Sequence, residues 1–209
     1  MTTDMAILAQ APGISGASLL AIFFAAAVTD NILLTRFLGM CSYLAISREL
    51  KSAVGLGAAV TFVTGATCML NAALYWYVLV PLGLEVGLQL ILFIIVIAAF
   101  VQLLEMVIER VSLALYFSLG VFLPLITVNC AILGGSLFMI NKNYRVVEGL
   151  VYGLGAGLGW MLAIVLLAGI RWRLRNAKIP AGLEGPGITL IITGIMALAF
   201  IAFSGLVKV

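Results

Sequence analysis

The sequence predicts an all-α polytopic membrane protein with six transmembrane helices, arranged as an inverted 3+3 repeat whose first and fourth helices are broken. Three observations predict this fold. Of the 209 residues, 65% are hydrophobic and only 9% are charged; six apolar segments are long enough to span a bilayer; and polar residues interrupt two of these segments at matching places. Since a soluble domain carries about 25% charged residues, this chain needs lipid as its solvent.

The apolar segments follow one another along the chain, which we interpret as a single membrane domain, 1–209. The first and fourth segments have about 30 residues each. A straight helix of that length would extend about 45 Å, too long for one plain span. Asp30-Asn31 interrupts the first segment, and Pro124 and Asn129 interrupt the fourth. The predicted segments are 17–46, 53–80, 87–108, 111–140, 147–170 and 187–207.

Basic residues in the connections predict the orientation of the spans. The first, third and fifth connections carry seven Lys and Arg residues, against three on the opposite side. The odd-numbered connections are therefore expected in the cytoplasm and both termini on the outer side. No positively charged start and no small-residue cleavage site precede the first apolar segment, so we expect it to remain in the mature protein.

One long broken segment followed by two plain segments occurs twice, in 1–108 and in 109–209. Because each half has three spans, the two halves must have opposite orientations. Cys41 and Cys130 occupy corresponding positions shortly after the two breaks. In inverted repeats of this kind, broken helices form a polar site near the midplane of the membrane.

The two matched cysteines are the candidate ligands. If each long segment bends at its break, Cys41 and Cys130 converge near the middle of the membrane, where free backbone N–H groups stabilise negative charge. Gly39 allows the backbones to approach closely. Iron–sulfur clusters are held by cysteine thiolates, usually four, so an iron centre completed by another polypeptide is the leading interpretation. The alternative, to which we assign Cys68, is a small buried hydrophobe; for the matched pair the pattern leaves both open.

Three stretches carry a resemblance to a known family: NILLTRFLGMCSYLAIS at 31–47, VFLPLITVNCAILGG at 121–135 and VYGLGAGLGWMLAIVLLAGIR at 151–171. They resemble the family of E subunits of the Na⁺-translocating NADH:quinone oxidoreductases. The paralogous family of A subunits of the Rnf electron-transport complexes is similar, but GWMLAIV and MCSY favour the quinone reductase. The resemblance covers all but roughly the first twenty residues.

The resemblance implies six helices in an inverted repeat and an intramembrane [2Fe–2S] cluster ligated by Cys41 and Cys130. Gly39 and Asn129 would support the turns beside the cluster. A homologous six-helix protein of opposite orientation, the D subunit of the reductase or its Rnf counterpart, would give the other two cysteines. Electrons would pass from the NADH-oxidising subunit to flavoprotein subunits, and this transfer would be coupled to Na⁺ transport. The chain would lie in a bacterial inner membrane, with both of its termini on the periplasmic side. FAD, FMN and riboflavin are expected in those other subunits and not in this chain, which would not be catalytic alone.

A pair of carboxylates lies near the predicted cytoplasmic end of the third segment. Glu105 and Glu109 share a helix face in VQLLEMVIER, and Gln102 lies one turn before Glu105. Glu105 is expected to lie deeper in the membrane than Glu109. A carboxylate at that depth is costly unless it is paired or hydrated. This makes Glu105 a candidate for a cation pathway. The alternative is a solvated helix end.

The polar residues at the two breaks have a structural interpretation. Asp30 and Arg36 lie six residues apart, and a break between them would let the two side chains form an ion pair. Asn31 and Asn129 are expected to satisfy backbone groups that the breaks leave free.

Two glycine-containing patterns are not assigned to a cofactor. In YGLGAGLGW, Gly153 and Gly157 share one helix face and Gly155 and Gly159 another, which predicts close helix contacts on both faces. No strand precedes the stretch, so it is not a dinucleotide fingerprint. TGAT at 64–67 resembles the flavin-attachment motif of sister subunits, but it lies inside a membrane helix and lacks the acidic residue that usually precedes that motif.

Two other functional classes fit parts of the pattern: a small inverted-repeat ion transporter without redox chemistry, and a structural scaffold for flavoprotein neighbours. Iron content separates both of them from the electron-transfer interpretation. Nucleic acid is not an expected partner, because the eleven Lys and Arg residues cluster at segment ends. The chain is expected to be surrounded by the lipid bilayer.

Overall fold

The computed structural model describes residues 16–83, 85–111, 123–175 and 185–202, in which the regular elements are helices and none is a strand. A π-helical turn, Ala25–Thr29, extends the first helix. Another, Tyr75–Leu79, extends the third, which ends in a last turn at Val80–Leu82. The helices are α1 Gly16–Phe24, α2 Met40–Ile46, α3 Leu50–Leu74, α4 Glu85–Val111, α5 Leu123–Thr127, α6 Cys130–Asn141, α7 Val146–Leu174 and α8 Pro186–Ile201.

Four helical segments of the described part are long and apolar enough to cross a membrane: Leu50–Leu82, Gly87–Val107, Val146–Leu174, and Pro124–Asn141, which includes the end of α5 and all of α6. Two shorter apolar helices, Ser18–Thr29 and Pro186–Ile201, lie in the predicted first and sixth segments. The predicted all-helical membrane fold is therefore confirmed. The count of six spans and the inverted repeat of 1–108 and 109–209 stay predictions. Both termini, predicted on the periplasmic side, and the start of the fourth segment lie outside the described residues.

The breaks predicted at Asp30-Asn31 and at Asn129 are present, whereas Pro124, also predicted to interrupt the fourth segment, lies inside α5. The chain leaves helical geometry between α1 and α2, and again between α5 and α6. At the first break the buried Asn31 accepts hydrogen bonds from the backbone N–H groups of Leu33 and Leu34 at 3.1 and 3.3 Å. Its Nδ2 donates to the carbonyl of Gly159 in α7 at 2.7 Å. Asn31 therefore satisfies freed backbone groups, as the sequence predicts.

Helix α7 lies at the centre of the fold and packs most extensively against α3, with α1 and α6 as further neighbours. Gly153 and Gly157 face α3, whereas Gly155 and Gly159 face α1. A methyl group added at Gly157 would stand 2.6 Å from the Cα of Thr61, so the helices are in backbone contact there. The predicted close packing on two glycine faces is confirmed.

Helix α4 contrasts with α7, because much of its apolar surface is exposed. One buried stripe, formed by Phe93, Ile97 and Val101 at intervals of four residues, faces the rest of the fold. The exposed apolar side chains are available to lipid or to another polypeptide. They are Leu88, Leu90, Ile91, Ile94, Ile95, Leu103, Met106 and Val107.

A charge cluster ties the first break to the end of α6. Arg36 Nη2 lies 3.3 Å from Asp30 Oδ1, so the predicted pairing of these residues is confirmed. Lys142 Nζ lies 3.3 Å from Asp30 Oδ2, and the Arg36 guanidinium stacks 3.8 Å from the ring centroid of Phe138. Burial raises the pKa of Tyr144, and the carboxylates of Glu148 and then Asp30 raise it further. The sequence had not predicted Lys142 as a partner.

Candidate metal centre

Each candidate cysteine lies in the first turn of a helix that begins directly after a break. Cys41 is the second residue of α2, and Cys130 is the first residue of α6. Both thiols are free and exposed at the surface of this chain. Both side chains are therefore accessible to a group held from outside the chain.

The two breaks touch at Gly39 and Cys130. The backbone N–H of Gly39 donates a hydrogen bond to Cys130 Sγ at 2.9 Å, between residues 91 positions apart. Gly39 has φ +81° and ψ +19°, in the left-handed region that glycine adopts without strain. The turn that leads into Cys41 thus presents a donor to the other candidate sulfur. The breaks lie side by side, as bending of the long segments requires.

Asn129 makes a second link between the breaks. Its Oδ1 accepts from the backbone N–H of Ala131 at 3.0 Å, which caps α6. Its Nδ2 donates to Ser42 Oγ at 3.2 Å, and that hydroxyl donates to the Gly39 carbonyl at 3.1 Å. Asn129 and Ser42 are buried. Gly39 and Asn129, predicted to support the turns, therefore belong to one buried hydrogen-bond network.

Trp160 of α7 lies behind the Gly39 turn. Its side chain is 0% exposed, and within the described residues its Nε1 has no hydrogen-bond acceptor. A methyl group at Gly39 would stand 2.5 Å from Trp160 Nε1 and 3.0 Å from the Ala131 side chain, so only glycine fits. Nothing in a glycine-rich helical stretch indicates an unpaired indole N–H, so the sequence alone does not point to Trp160.

Two exposed apolar residues stand next to the candidate ligands in the chain. Phe37, two residues before Gly39, is 52% exposed, and Val128, two residues before Cys130, is 74% exposed. Phe37 has φ +55°, which is strained for a bulky side chain. These two exposed side chains near the candidate ligands in sequence are apolar, which suits contact with lipid or with another polypeptide inside the membrane.

The donor set of this chain suits one half of a shared centre. Within the described residues no three His, Cys, Asp or Glu side chains come together to hold a metal ion. Two cysteines are half of the four thiolates that usually hold an iron–sulfur cluster, and histidine is absent from the sequence. The backbone donor onto Cys130 Sγ favours an anionic sulfur ligand at that position. The residues present therefore fit a [2Fe–2S] cluster completed from outside the chain.

Cys68 has a different environment. Its side chain is fully buried, and its Sγ lies 3.9 Å from Ser136 Oγ. The sulfur also packs closely against Gly153 of α7. The assignment of Cys68 to the small buried hydrophobes is confirmed.

Glu105 lies in α4 and is not a member of the hydrogen-bond network of the two breaks. It is partly buried, whereas Gln102 and Glu109 beside it are exposed. No hydrogen bond or ion pair joins Glu105 to any side chain in the described stretches of the chain. Its predicted place in a cation pathway is untested and stays a proposal.

Comparison with known proteins gives a consistent likeness over almost the whole chain. The family described as "Rnf-Nqr subunit, membrane protein" matches residues 19–207. The chain is 50% identical over 196 residues to the E subunit of the Na(+)-translocating NADH-quinone reductase of Psychromonas ingrahamii, covering 90% of this chain and 97% of that protein. It is 51% identical over 191 residues to the protein of the same name from Proteus mirabilis, and 52% identical over 191 residues to that from Yersinia enterocolitica. Each of these two alignments covers 89% of this chain and 96% of the relative.

Proposed function

Since the chain belongs to the Rnf-Nqr family of membrane subunits, we propose that it is the integral membrane electron-transfer subunit of a Na⁺-translocating NADH:quinone oxidoreductase. It acts as part of that enzyme complex and is not catalytic alone. The relatives named above are E subunits of this reductase, which favours it over the Rnf complex.

The observation that carries the proposal is the hydrogen bond from the Gly39 N–H to Cys130 Sγ. It joins the turn before Cys41 to the second candidate ligand, while both thiols stay exposed. A buried structural cysteine would not need the exposure, as Cys68 illustrates. Two accessible sulfurs beside adjoining breaks are what half of a shared metal site requires.

Cys41 and Cys130 would hold a [2Fe–2S] cluster together with two cysteines of a partner. When bound, such a cluster accepts and passes on one electron at a time. The Gly39 N–H stabilises the negative charge of Cys130 Sγ, and Asn129 with Ser42 fixes the two turns relative to each other. We propose a homologous six-helix protein of opposite orientation as the partner, and flavoprotein and NADH-oxidising subunits as neighbours in the complex.

Glu105 is proposed to lie on the cation pathway of the complex. Its support is a partly buried carboxylate inside a spanning helix, without an ion pair among the described residues. Ionisable groups at such depth are expensive and mark ion pathways by default.

The test is electron paramagnetic resonance on the dithionite-reduced, purified complex. Cys41→Ala and Cys130→Ala should each remove one [2Fe–2S] signal and its iron, with the signal of any soluble domain retained. Cys68→Ala is the matched control and should keep both the signal and the iron. A full [2Fe–2S] signal in either of the first two variants, in an assembled complex, would overturn the ligand assignment.

A further inference from the structure

The indole N–H of Trp160 is a buried hydrogen-bond donor without a partner among the described residues. The indole is fully buried, and its Nε1–H meets no acceptor within the part of the chain that the structure describes. A buried donor without a partner is unfavourable, because its hydration is lost and not replaced. Trp76 shows the usual solution, since its Nε1 donates to the Tyr144 carbonyl at 3.1 Å.

The position of the donor relates it to the candidate centre. Trp160 Nε1 stands 2.5 Å from the place where a Cβ of Gly39 would lie. The N–H of the same glycine holds Cys130 Sγ at 2.9 Å. Asn129 Oδ1 lies 3.1 Å from that place, but the indole N–H makes no hydrogen bond to it. The donor therefore lies behind the turn that holds the sulfur.

We propose that the Trp160 indole N–H is a hydrogen-bond donor to the anionic sulfur at the Cys130 end of the metal centre, and that it raises the reduction potential of that centre. The inference rests on the proposed function. Reduction adds negative charge, and a donor aimed at sulfur stabilises the reduced form more than the oxidised form. In the isolated chain Cys130 Sγ is not bonded to the indole N–H, so the proposal requires that loading of the centre brings an anionic sulfur within reach of this donor.

Trp160→Phe in the whole complex tests the inference, because phenylalanine keeps an aromatic ring and removes the N–H. The readout is the midpoint potential of the signal that depends on Cys41 and Cys130, measured by redox titration with paramagnetic resonance. We expect the signal to remain and the equilibrium constant for reduction to fall about tenfold. For a one-electron couple this lowers the midpoint potential by about 59 mV. Trp76→Phe is the matched control and should leave the potential unchanged. An unshifted potential in Trp160→Phe would overturn the inference.

A second measurement covers the case in which Trp160→Phe does not assemble. The unmodified complex is labelled with ¹⁵N at the indole nitrogen, and pulsed paramagnetic resonance records nitrogen couplings to the reduced centre. An indole ¹⁵N coupling supports the inference, and its absence overturns it. These outcomes are distinct from failure of the proposed function, which would appear as a complex without any [2Fe–2S] signal that depends on the two cysteines.

Discussion

The backbone N–H of Gly39 lies 2.9 Å from Cys130 Sγ. The two residues are 91 positions apart in the sequence, and the contact joins the break of the first segment to the break of the fourth. Gly39 combines three requirements that no other residue meets together. It adopts φ +81°, it places its N–H on the sulfur, and it leaves room for the Trp160 ring. The geometry of the candidate centre therefore depends on one glycine.

Gly39→Ala should damage both the fold and the centre. Alanine in the left-handed region costs about 1–2 kcal/mol, and its methyl group would overlap Trp160 Nε1 and the Ala131 side chain. With overpacking of about 1–3 kcal/mol added, we expect a loss of about 2–5 kcal/mol. Thermal unfolding and iron content of the purified complex measure it.

The control for that substitution is Gly55→Ala in α3, where an added methyl group would meet no described atom within 4 Å. Alanine in a helix interior is neutral or stabilising by up to about 1 kcal/mol. Parental stability and iron content in Gly39→Ala would contradict the geometry described for the turn.

Gly157→Ala should separate α7 from α3. The added methyl group would stand 2.6 Å from the Thr61 Cα, and a backbone atom cannot move aside as a side chain can. We expect destabilisation of about 1–3 kcal/mol, measured by thermal unfolding of the complex in detergent. Gly169→Ala, on the same helix with no described atom within 4 Å of the new methyl group, should change little. Equal effects of the two substitutions would exclude close backbone contact at Gly157.

Features that depend on the local sequence were predictable. Segment length and apolar composition indicated the helical membrane fold, and Asp30-Asn31 and Asn129 marked the two breaks, because polar groups interrupt an apolar run visibly. The spacing of Gly153, Gly155, Gly157 and Gly159 indicated two packing faces, because a helix repeats every 3.6 residues. The six-residue separation of Asp30 and Arg36 indicated their ion pair.

Contacts between distant residues were not predictable from the same patterns. Lys142 follows α6 in sequence and gives no sign that its amine reaches Asp30. The Ser42 hydroxyl and the Asn129 amide each have many potential partners, and only tertiary packing joins them. Trp160 resembles any apolar core residue in the sequence, and its unpaired N–H follows from what surrounds it.

Asp30→Asn should loosen the link between the first break and α6. The substitution leaves Arg36 and Lys142 close together without the carboxylate that holds both. The three side chains are partly exposed, so the expected loss lies between surface and buried ion pairs, at about 1–2 kcal/mol. Thermal unfolding measures it, and a double-mutant cycle with Lys142→Met isolates the second pair. Glu49→Gln, an exposed carboxylate that only accepts from Ser52, is the control. A coupling near zero would mean that Lys142 only lies beside Asp30.

Glu105→Gln should slow Na⁺-stimulated turnover of the complex while the [2Fe–2S] content stays parental. The amide keeps the size of the carboxylate but removes the charge that a partly dehydrated cation needs, so the Na⁺ concentration for half-maximal turnover should rise. Glu109→Gln, one turn further toward the helix end and exposed, should keep the parental response. The comparison uses two carboxylates of one helix, so a general loss of surface charge would affect both alike. If Glu105→Gln retains the parental Na⁺ dependence, the carboxylate belongs to a solvated helix end and the cation passes elsewhere in the complex.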